Sequence, residues 1–286
     1  SIIIVNYNTL RLTRDCIESI KEKTHSVDYE IIVVDNGSTD GSRELFENNR
    51  DVVYIYSAKN GGFGYGDNIG IKRAKGKYLL FLNSDTLLLN NAIKEFYDYA
   101  ETHALKAIYG CYLQKDDGSY SGSFHYFPSF TVGDFIKGKF YKKSYAPDYT
   151  NKEVECICGA DMFVPREAIA EAGMFDENIF LYGEEGELQR RMMKKGRDVL
   201  EAVQVSVNPK VINTPKIVHL EGQSMGESYK KLTIKMESHF YILRKHATFA
   251  NYFLLRMFYT LLYTVICLPH LGNQDARTFL KSLYLR

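Results

Sequence analysis

The sequence predicts an α/β fold with a mostly parallel central sheet flanked by helices, followed by a helical C-terminal extension. Three observations lead there. Short apolar runs alternate with helix-length segments through the first hundred residues, the pattern of strands joined by helical crossovers. The run Ile31 to Ser42, IIVVDNGSTDGS, passes from buried-strand residues to a carboxylate and then to small polar turn-formers. Finally, an apolar stretch from Tyr252 to Leu268 lies in a basic tail.

The elements follow in order. Ile2 to Val5 reads as a strand, Leu10 to Lys23 as a helix, Glu30 to Asp35 as a strand, Ser42 to Asn49 as a helix and Val52 to Tyr56 as a strand. A glycine-rich turn and a helix run on to Ala74, then Tyr78 to Leu82 forms a strand and Ala92 to Thr102 a helix. In such a sheet the second strand delivers Asp35 to its carboxyl end, where open α/β sheets bind ligands. Ser38, Thr39 and Asp40 are suited to cap the helix that follows, whose N–H groups would favour an anion such as a phosphate. An ordinary strand-to-helix turn explains the same residues. From Asp116 to Lys152 the chain is rich in Tyr, Phe, Lys and Gly without a clear period, which is long for a plain connector.

Composition sets the outer limits. The 286 residues are 45% hydrophobic and 25% charged, ordinary for a globular protein, which excludes disordered and collagen-like classes. A net charge of +1 argues against a nucleic-acid partner, but Gly226 to Arg286 carries nine Lys/Arg against three Asp/Glu, so that segment is +6 and the remainder −5. The five cysteines are an odd, scattered set without CxxC spacing, so neither a disulfide framework nor a zinc site is expected. Cys156 and Cys158 sit in VECICGADMFV, read as one strand on which both project to the same face; packing explains them better than a metal site. With no charged leader or cleavage site visible, the expectation is a cytoplasmic protein, with the inner face of the plasma membrane as a peripheral location.

Five motifs in order carry a resemblance: Ser1 to Thr9 (SIIIVNYNT), VVDNGSTDGS, Asn60 to Gly70 (NGGFGYGDNIG), Leu80 to Thr86 (LFLNSDT) and Gly173 to Arg191. Together they resemble a family 2 glycosyltransferase of the GT-A fold, with the bacterial rhamnosyltransferase-like branch as the nearest pattern. The resemblance covers roughly residues 1 to 225. It implies a catalytic domain over 1–225, with a nucleotide-sugar-binding half at 1–115 and an acceptor half at 116–225, and an extension over 226–286.

The resemblance implies roles residue by residue. Asp35 would recognise a pyrimidine base, since a carboxylate accepts the imide N–H of uracil or thymine. Asn6, Asn8 and Asn36 would line that pocket, although Asn8 or Thr9 also suits a helix cap. Gly62 and its neighbouring glycines would let the backbone approach the diphosphate, with Asp67 and Asn68 as polar contacts. Asn83, Ser84 and Asp85 occupy the place of a DxD motif, in which Asp85 would hold Mg²⁺ or Mn²⁺ while Asn83 replaces the first carboxylate. His219, in the HxxGxS run with Gly222 and Ser224, would complete the metal or diphosphate site, after a strand at Lys216 to Val218. Asp161 would contact the donor sugar.

Inversion at the anomeric carbon needs a carboxylate within reach of the acceptor hydroxyl, and Glu185 in Gly183 to Leu188 (GEEGEL) matches that position, with Glu184 as the substitute. Acids suited to a helix N-terminus explain one or two of the three glutamates without catalysis. Phe175, Phe180 and Tyr182 would form an acceptor platform or pack a core loop. The implied enzyme moves a sugar from a dTDP-rhamnose-like or UDP-sugar donor to a saccharide or lipid-linked acceptor in cell-surface polysaccharide synthesis. Tyr252 to Leu268, seventeen residues with Arg256 inside and Pro269 behind, falls short of a bilayer span and reads as an interfacial helix; packing against a partner subunit, as in a homodimer, or against the protein's own catalytic domain is the other reading. A sugar nucleotidyltransferase and a non-catalytic nucleotide- or glycan-binding scaffold remain as rivals.

Overall fold

A computed structural model describes residues 1–103, 107–140, 147–200, 208–220 and 228–285. The chain runs β1 (Ile2–Asn6), α1 (Leu10–Lys23), β2 (Ile31–Asp35), α2 (Ser42–Phe46), β3 (Val53–Tyr56), α3 (Phe63–Arg73), β4 (Tyr78–Leu82), β5 (Thr86–Leu88) and α4 (Ala92–Thr102). It continues with β6 (Tyr109–Cys111), β7 (Phe124–His125), α5 (Val132–Phe140), β8 (Lys152–Glu153), β9 (Cys156–Ile157), β10 (Asp161–Pro165), α6 (Arg166–Ala172) and α7 (Glu184–Leu200). The last elements are β11 (Lys210–Ile212), β12 (Ile217–His219), α8 (Tyr229–His246), α9 (Phe249–Cys267) and α10 (Gln274–Leu285). Contacts divide the chain into two compact units, one of residues 1–126, 147–178 and 184–224, the other of 127–146, 179–183 and 225–286.

The first unit is built on an eight-stranded sheet in the order β3-β2-β1-β4-β10-β6-β11-β8. β1 to β4 are mutually parallel where they pair, β10 runs antiparallel to both β4 and β6, and β11 is parallel to β6. β1, β2 and β4 are buried along their length, so they read as unbroken apolar runs rather than alternations, whereas β3 at the edge is half-buried. Register then delivers the polar residues to one edge: Asn6 lies beside Asp35, and Asp161 opens β10 opposite Leu82, the residue before Asn83.

The glycines do something other than line a phosphate loop. Gly64, Gly66 and Gly70 lie inside α3, and a Cβ on them would come within 2.8 Å of Phe175, 2.8 Å of Val5 and 2.5 Å of Ile3. These contacts let α3 sit directly on β1. Only Gly62 takes a conformation that favours glycine, at φ +97°, where it precedes the helix.

Several expected boundaries move. The helix expected over 42–49 ends at Phe46, and Asp40 turns its carboxylate to the Leu10 N–H (2.8 Å) as well as to the Ser42 N–H (3.1 Å). Asp40 therefore ties the start of α1 to the β2 loop, and a five-residue α2 offers no helix-end anion site. The VECICGADMFV segment is two strands: β9 stops at Ile157, a turn follows, and β10 starts at Asp161, so Cys156 is a strand residue and Cys158 is not. The segment 116–152 contains β7 and α5, whose lengths are too short for a clear period.

The second unit packs α8, α9 and α10 around Met236, Phe240, Leu243, Leu255, Cys267, Phe279 and Leu283, with Phe135 of α5 against them. α9 starts at Phe249, capped by the Thr248 hydroxyl, and a 3-10 turn over Leu268–His270 prolongs it. The resulting Phe249–His270 stretch has 22 residues, is long and apolar enough to cross a membrane, and is mostly unburied. Length thus no longer excludes a span, because 22 residues reach about 33 Å. Pro269 sits within the closing turn rather than cutting the helix short, since a proline early in a new turn has no N–H to lose.

Candidate active site

At the β1–β2 edge the side chains are knitted together. Asp35 is fully buried; its Oδ1 accepts the Ser38 N–H (2.7 Å), while Oδ2 accepts from the Tyr54 hydroxyl (2.9 Å) and Asn6 Nδ2 (3.3 Å). A carboxylate offers about four lone pairs, so among the described residues Oδ1 accepts one hydrogen bond of the two it can take. Asn8, at φ +55°, accepts from the Thr39 N–H (2.7 Å) and donates its own N–H to Ser38 Oγ (2.9 Å). Asn36 donates to the Gly62 carbonyl (2.9 Å), and its buried Oδ1 has no hydrogen-bond partner among the described residues. Thr9 Oγ1 lies 2.9 Å from Asn6 Oδ1 and 3.1 Å from Ser84 Oγ, which joins this edge to the Asn83–Asp85 turn.

In that turn Asp85 Oδ1 is 3.4 Å from His219 Nε2, and Asn83 Nδ2 is 3.3 Å from the same nitrogen. The antiparallel pairing of β12 with β5, His219 opposite Thr86, brings them together across 134 residues of sequence. Two ligands about 2.1 Å from one cation at right angles stand about 3 Å apart, so the 3.4 Å between this carboxylate and imidazole is compatible with two ligands of one cation, and no third His, Cys, Asp or Glu groups with them among the described residues. Gly222 and Ser224 lie outside the described residues.

Asp161 is fully buried, with Oδ2 accepting the Cys111 N–H (2.6 Å) and Oδ1 without a hydrogen-bond partner among the described residues. Burial pushes its carboxyl up to about 7, against the pull of that N–H. The turn before it links two motifs: the Ala160 carbonyl accepts the Asn83 N–H (3.0 Å), and Gly159 lies against Glu185, whose Cβ would be 3.5 Å from a Cβ at that glycine.

Glu184 and Glu185 open α7 and stand in opposite states. Burial, and then the neighbouring Glu185 charge, push Glu184 well above the usual glutamate range, and its Oε2 is buried without a hydrogen-bond partner among the described residues. Asp67, on α3, adds repulsion; it is itself fully buried with both oxygens unpartnered among the described residues, and burial raises its pKa strongly. Burial also opposes ionisation of Glu185, but the bond to His125, the His125 charge and the backbone N–H groups of residues 185 and 186 outweigh it and hold Glu185 below the usual value. His125 Nε2 lies 3.2 Å from Glu185 Oε1.

The sequence reading missed His125 and Gln189. Both act through β7 and β9, two-residue strands that carry no periodic signal. Gln189 is fully buried and grips Ile157 twice, accepting its N–H (2.8 Å) and donating to its carbonyl (2.7 Å). Asn68 does the same for Phe175, accepting its N–H and donating to its carbonyl (both 2.9 Å), and also reaches Glu177 Oε1 (3.0 Å). Phe175 itself is a core residue packed edge-on against Phe81, whereas Phe180 is exposed and belongs to the second unit. Arg191 pairs with Glu187 (2.9 Å) and donates to the carbonyls of Ala172, Gly173 and Met174, closing the turn after α6.

A half-parallel sheet with carboxylates at the carboxyl ends of β2, β4 and the start of β10 is the architecture of the GT-A glycosyltransferases. Staphylococcus aureus TarS, solved with UDP-GlcNAc, superposes with a TM-score of 0.52 at 17% identity over 82% of this chain and 65% of that one. Residues 1–172 match the sequence profile of glycosyl transferase family 2, and the chain belongs to that family. Among curated relatives, the glycosyltransferase GlyG of Streptococcus pneumoniae is 31% identical over 132 residues, 44% of this chain and 42% of GlyG. The poly(ribitol-phosphate) beta-glucosyltransferase of Bacillus spizizenii is 36% identical over 107 residues, 35% of this chain and 17% of that protein. The matches thus span less than half the length of these two relatives.

Proposed function

We propose that this protein is an inverting glycosyltransferase that moves a sugar from a pyrimidine nucleoside-diphosphate donor to a hydroxyl of a saccharide or lipid-linked acceptor in cell-surface polysaccharide synthesis. The observation that carries the reading is the pair of adjacent glutamates at the start of α7, in a chain of family 2: Glu185 Oε1 lies 3.2 Å from His125 Nε2, and Glu184 Oε2 is buried without a hydrogen-bond partner among the described residues. Glu185 is read as the general base because its contact with His125 favours the carboxylate form, whereas burial and the neighbouring Glu185 charge push Glu184 upward. In the transfer the acceptor oxygen attacks the anomeric carbon, its proton passes to Glu185, and the bond to the phosphate oxygen breaks with its electron pair leaving on the nucleoside diphosphate.

Asp35 would take the base N3–H on its remaining Oδ1 lone pair, within a pocket that Asn6, Asn8 and Asn36 shape. Asp161, close to its midpoint at neutral pH, would face the donor sugar. Asp85 and His219 would hold Mg²⁺ or Mn²⁺, with Asn83 beside them; when bound, the cation neutralises charge on the departing diphosphate. The UDP-GlcNAc complex of TarS supports a UDP donor, whereas the motif resemblance favours a dTDP-rhamnose-like one. A panel of UDP- and dTDP-sugars, followed by ligand-observed NMR with Mg²⁺ present or chelated and by slow release of nucleoside diphosphate, decides between them. Metal-dependent binding with release supports the transferase. Binding without release by any donor, even with saccharide acceptors added, leaves a scaffold and removes the enzyme, whereas pyrophosphate release from a nucleoside triphosphate with a sugar phosphate would make it a nucleotidyltransferase.

The acceptor reading also draws on α9. Phe249, Phe253, Met257, Leu261 and Val265 form a stripe at four-residue spacing, each more than half exposed. Arg256 turns the other way, donating to the Tyr252 hydroxyl (2.7 Å) and lying over the Phe240 ring. Leu255, in the first half of α9, and Cys267, at its end, are buried in the second unit's core, which favours a helix lying in a membrane plane over one crossing it. With the +6 surplus of residues 226–286, the partner is an anionic lipid surface. Vesicles containing phosphatidylglycerol should sediment with the protein, and Met257→Glu with Leu261→Glu should weaken binding about tenfold or more. A dimer in sedimentation equilibrium that ignores vesicles would assign the stripe to a second copy instead.

A further inference from the structure

We propose that His125 is a positioning residue that keeps Glu185 ionised and aimed, through the contact of its Nε2 with Glu185 Oε1 at 3.2 Å. The inference rests on the reading of Glu185 as the base and adds the group that sets its proton affinity.

The geometry is built from both sides. β7 and β9 pair antiparallel with His125 opposite Cys156, which fixes the backbone of the histidine. Gln189, one helical turn beyond Glu185, holds both backbone groups of Ile157, the other residue of β9. α7 is therefore docked onto the same two-residue strand that carries the partner of His125, and Glu185 and His125 have little freedom to part. His125 Nδ1 is 3.3 Å from the Tyr126 carbonyl, an acceptor, and its Nε2 faces a carboxylate, so both ring nitrogens meet acceptors and the imidazolium suits the site.

The charges around Glu185 favour this role. Facing it are His125 from β7, the thiols of Cys156 and Cys158 from β9 and the turn after it, and Glu184 from α7 itself, with Asp67 of α3 acting on Glu184. His125 is the cation of that set. Burial by itself would raise Glu185 and leave a protonated, useless base, as it does its neighbour Glu184. Burial lowers the pKa of His125 itself, and its contacts with Cys156 and Glu185 raise it above the usual histidine value.

The sign follows. With the histidine removed, Glu185 becomes harder to ionise, and activity that requires its carboxylate is lost at the acid side. The test is a carboxyl-carbon NMR titration of the full chain with ¹³C-labelled glutamate, with the Glu185 signal assigned by its loss in Glu185→Gln. In the wild type Glu185 should titrate below the ordinary glutamate range. In His125→Phe its midpoint should rise by about one unit or more, and in His125→Gln, which retains a donor without the charge, by less. A matching shift should appear in the acid limb of donor hydrolysis, whose midpoint should move up with that of Glu185, with about a tenfold loss per unit at pH values below the wild-type midpoint. An unmoved Glu185 midpoint in the folded His125→Gln protein would overturn the proposal. Should Glu185→Gln retain turnover, the base assignment fails instead, and the NMR result still decides whether His125 sets the ionisation of Glu185.

Discussion

At the β1–β2 edge Asp35 spends its buried charge on Ser38, Asn6 and Tyr54, whereas at the start of α7 Glu184 keeps one buried oxygen without a hydrogen-bond partner and Asp67 keeps both, among the described residues. Both regions bury carboxylates. The first uses them to organise a loop before any ligand arrives, and the second holds them in an arrangement that favours protonation. A buried carboxylate without partners weakens a fold, so its presence points to a site where stability is given up for chemistry. The edge pre-forms the proposed base pocket, and the acid turn is the proposed reaction centre.

Three substitutions sharpen or break this contrast. Glu185→Gln should lower turnover by about 10²- to 10⁴-fold, the usual loss of a general base, while donor binding persists in an NMR titration. Retained turnover would move the chemistry away from the acid turn. Asn68→Ala leaves the buried N–H and carbonyl of Phe175 unmet and should reduce stability by about 2–4 kcal/mol in urea denaturation. A neutral result would mean that the framework does not depend on such clamps. Asp67→Asn should do the reverse. The folded-state pKa of Asp67 lies above its unfolded value, so wild-type stability is fully present below the unfolded pKa and is lost as pH rises through the folded one. The variant escapes this loss; its advantage should be absent near pH 3, grow as pH rises, and reach about 1–3 kcal/mol at pH 8. Thermal melts across pH would show it, and a pH-independent difference would remove Asp67 from the strained set.

Most of the framework was legible. β1, β2 and β4 are buried Ile/Val/Leu runs that no competing period obscures, and α1 and α4 begin and end where the sequence reading put them. α2 stopped early because Glu47-Asn48-Asn49 leads into a turn, and asparagine is a poor helix former. The glycines of NGGFGYGDNIG were harder to read: sequence spacing cannot distinguish a backbone that approaches phosphate from a helix that approaches a strand. His125 and Gln189 left no local trace, since each acts across 32 to 60 residues through strands two residues long. Glu185 was readable only by its neighbours in sequence, and what separates it from Glu184 is the histidine that sequence did not place.

Gln189 also makes α7 intolerant of a change in length. Each residue of an α-helix turns the next by about 100°, so one residue inserted between Glu185 and Gln189 would leave the glutamine on Ile157 and swing the glutamate about a quarter turn away from His125. A four-residue spacing between grip and acid thus works as a ruler.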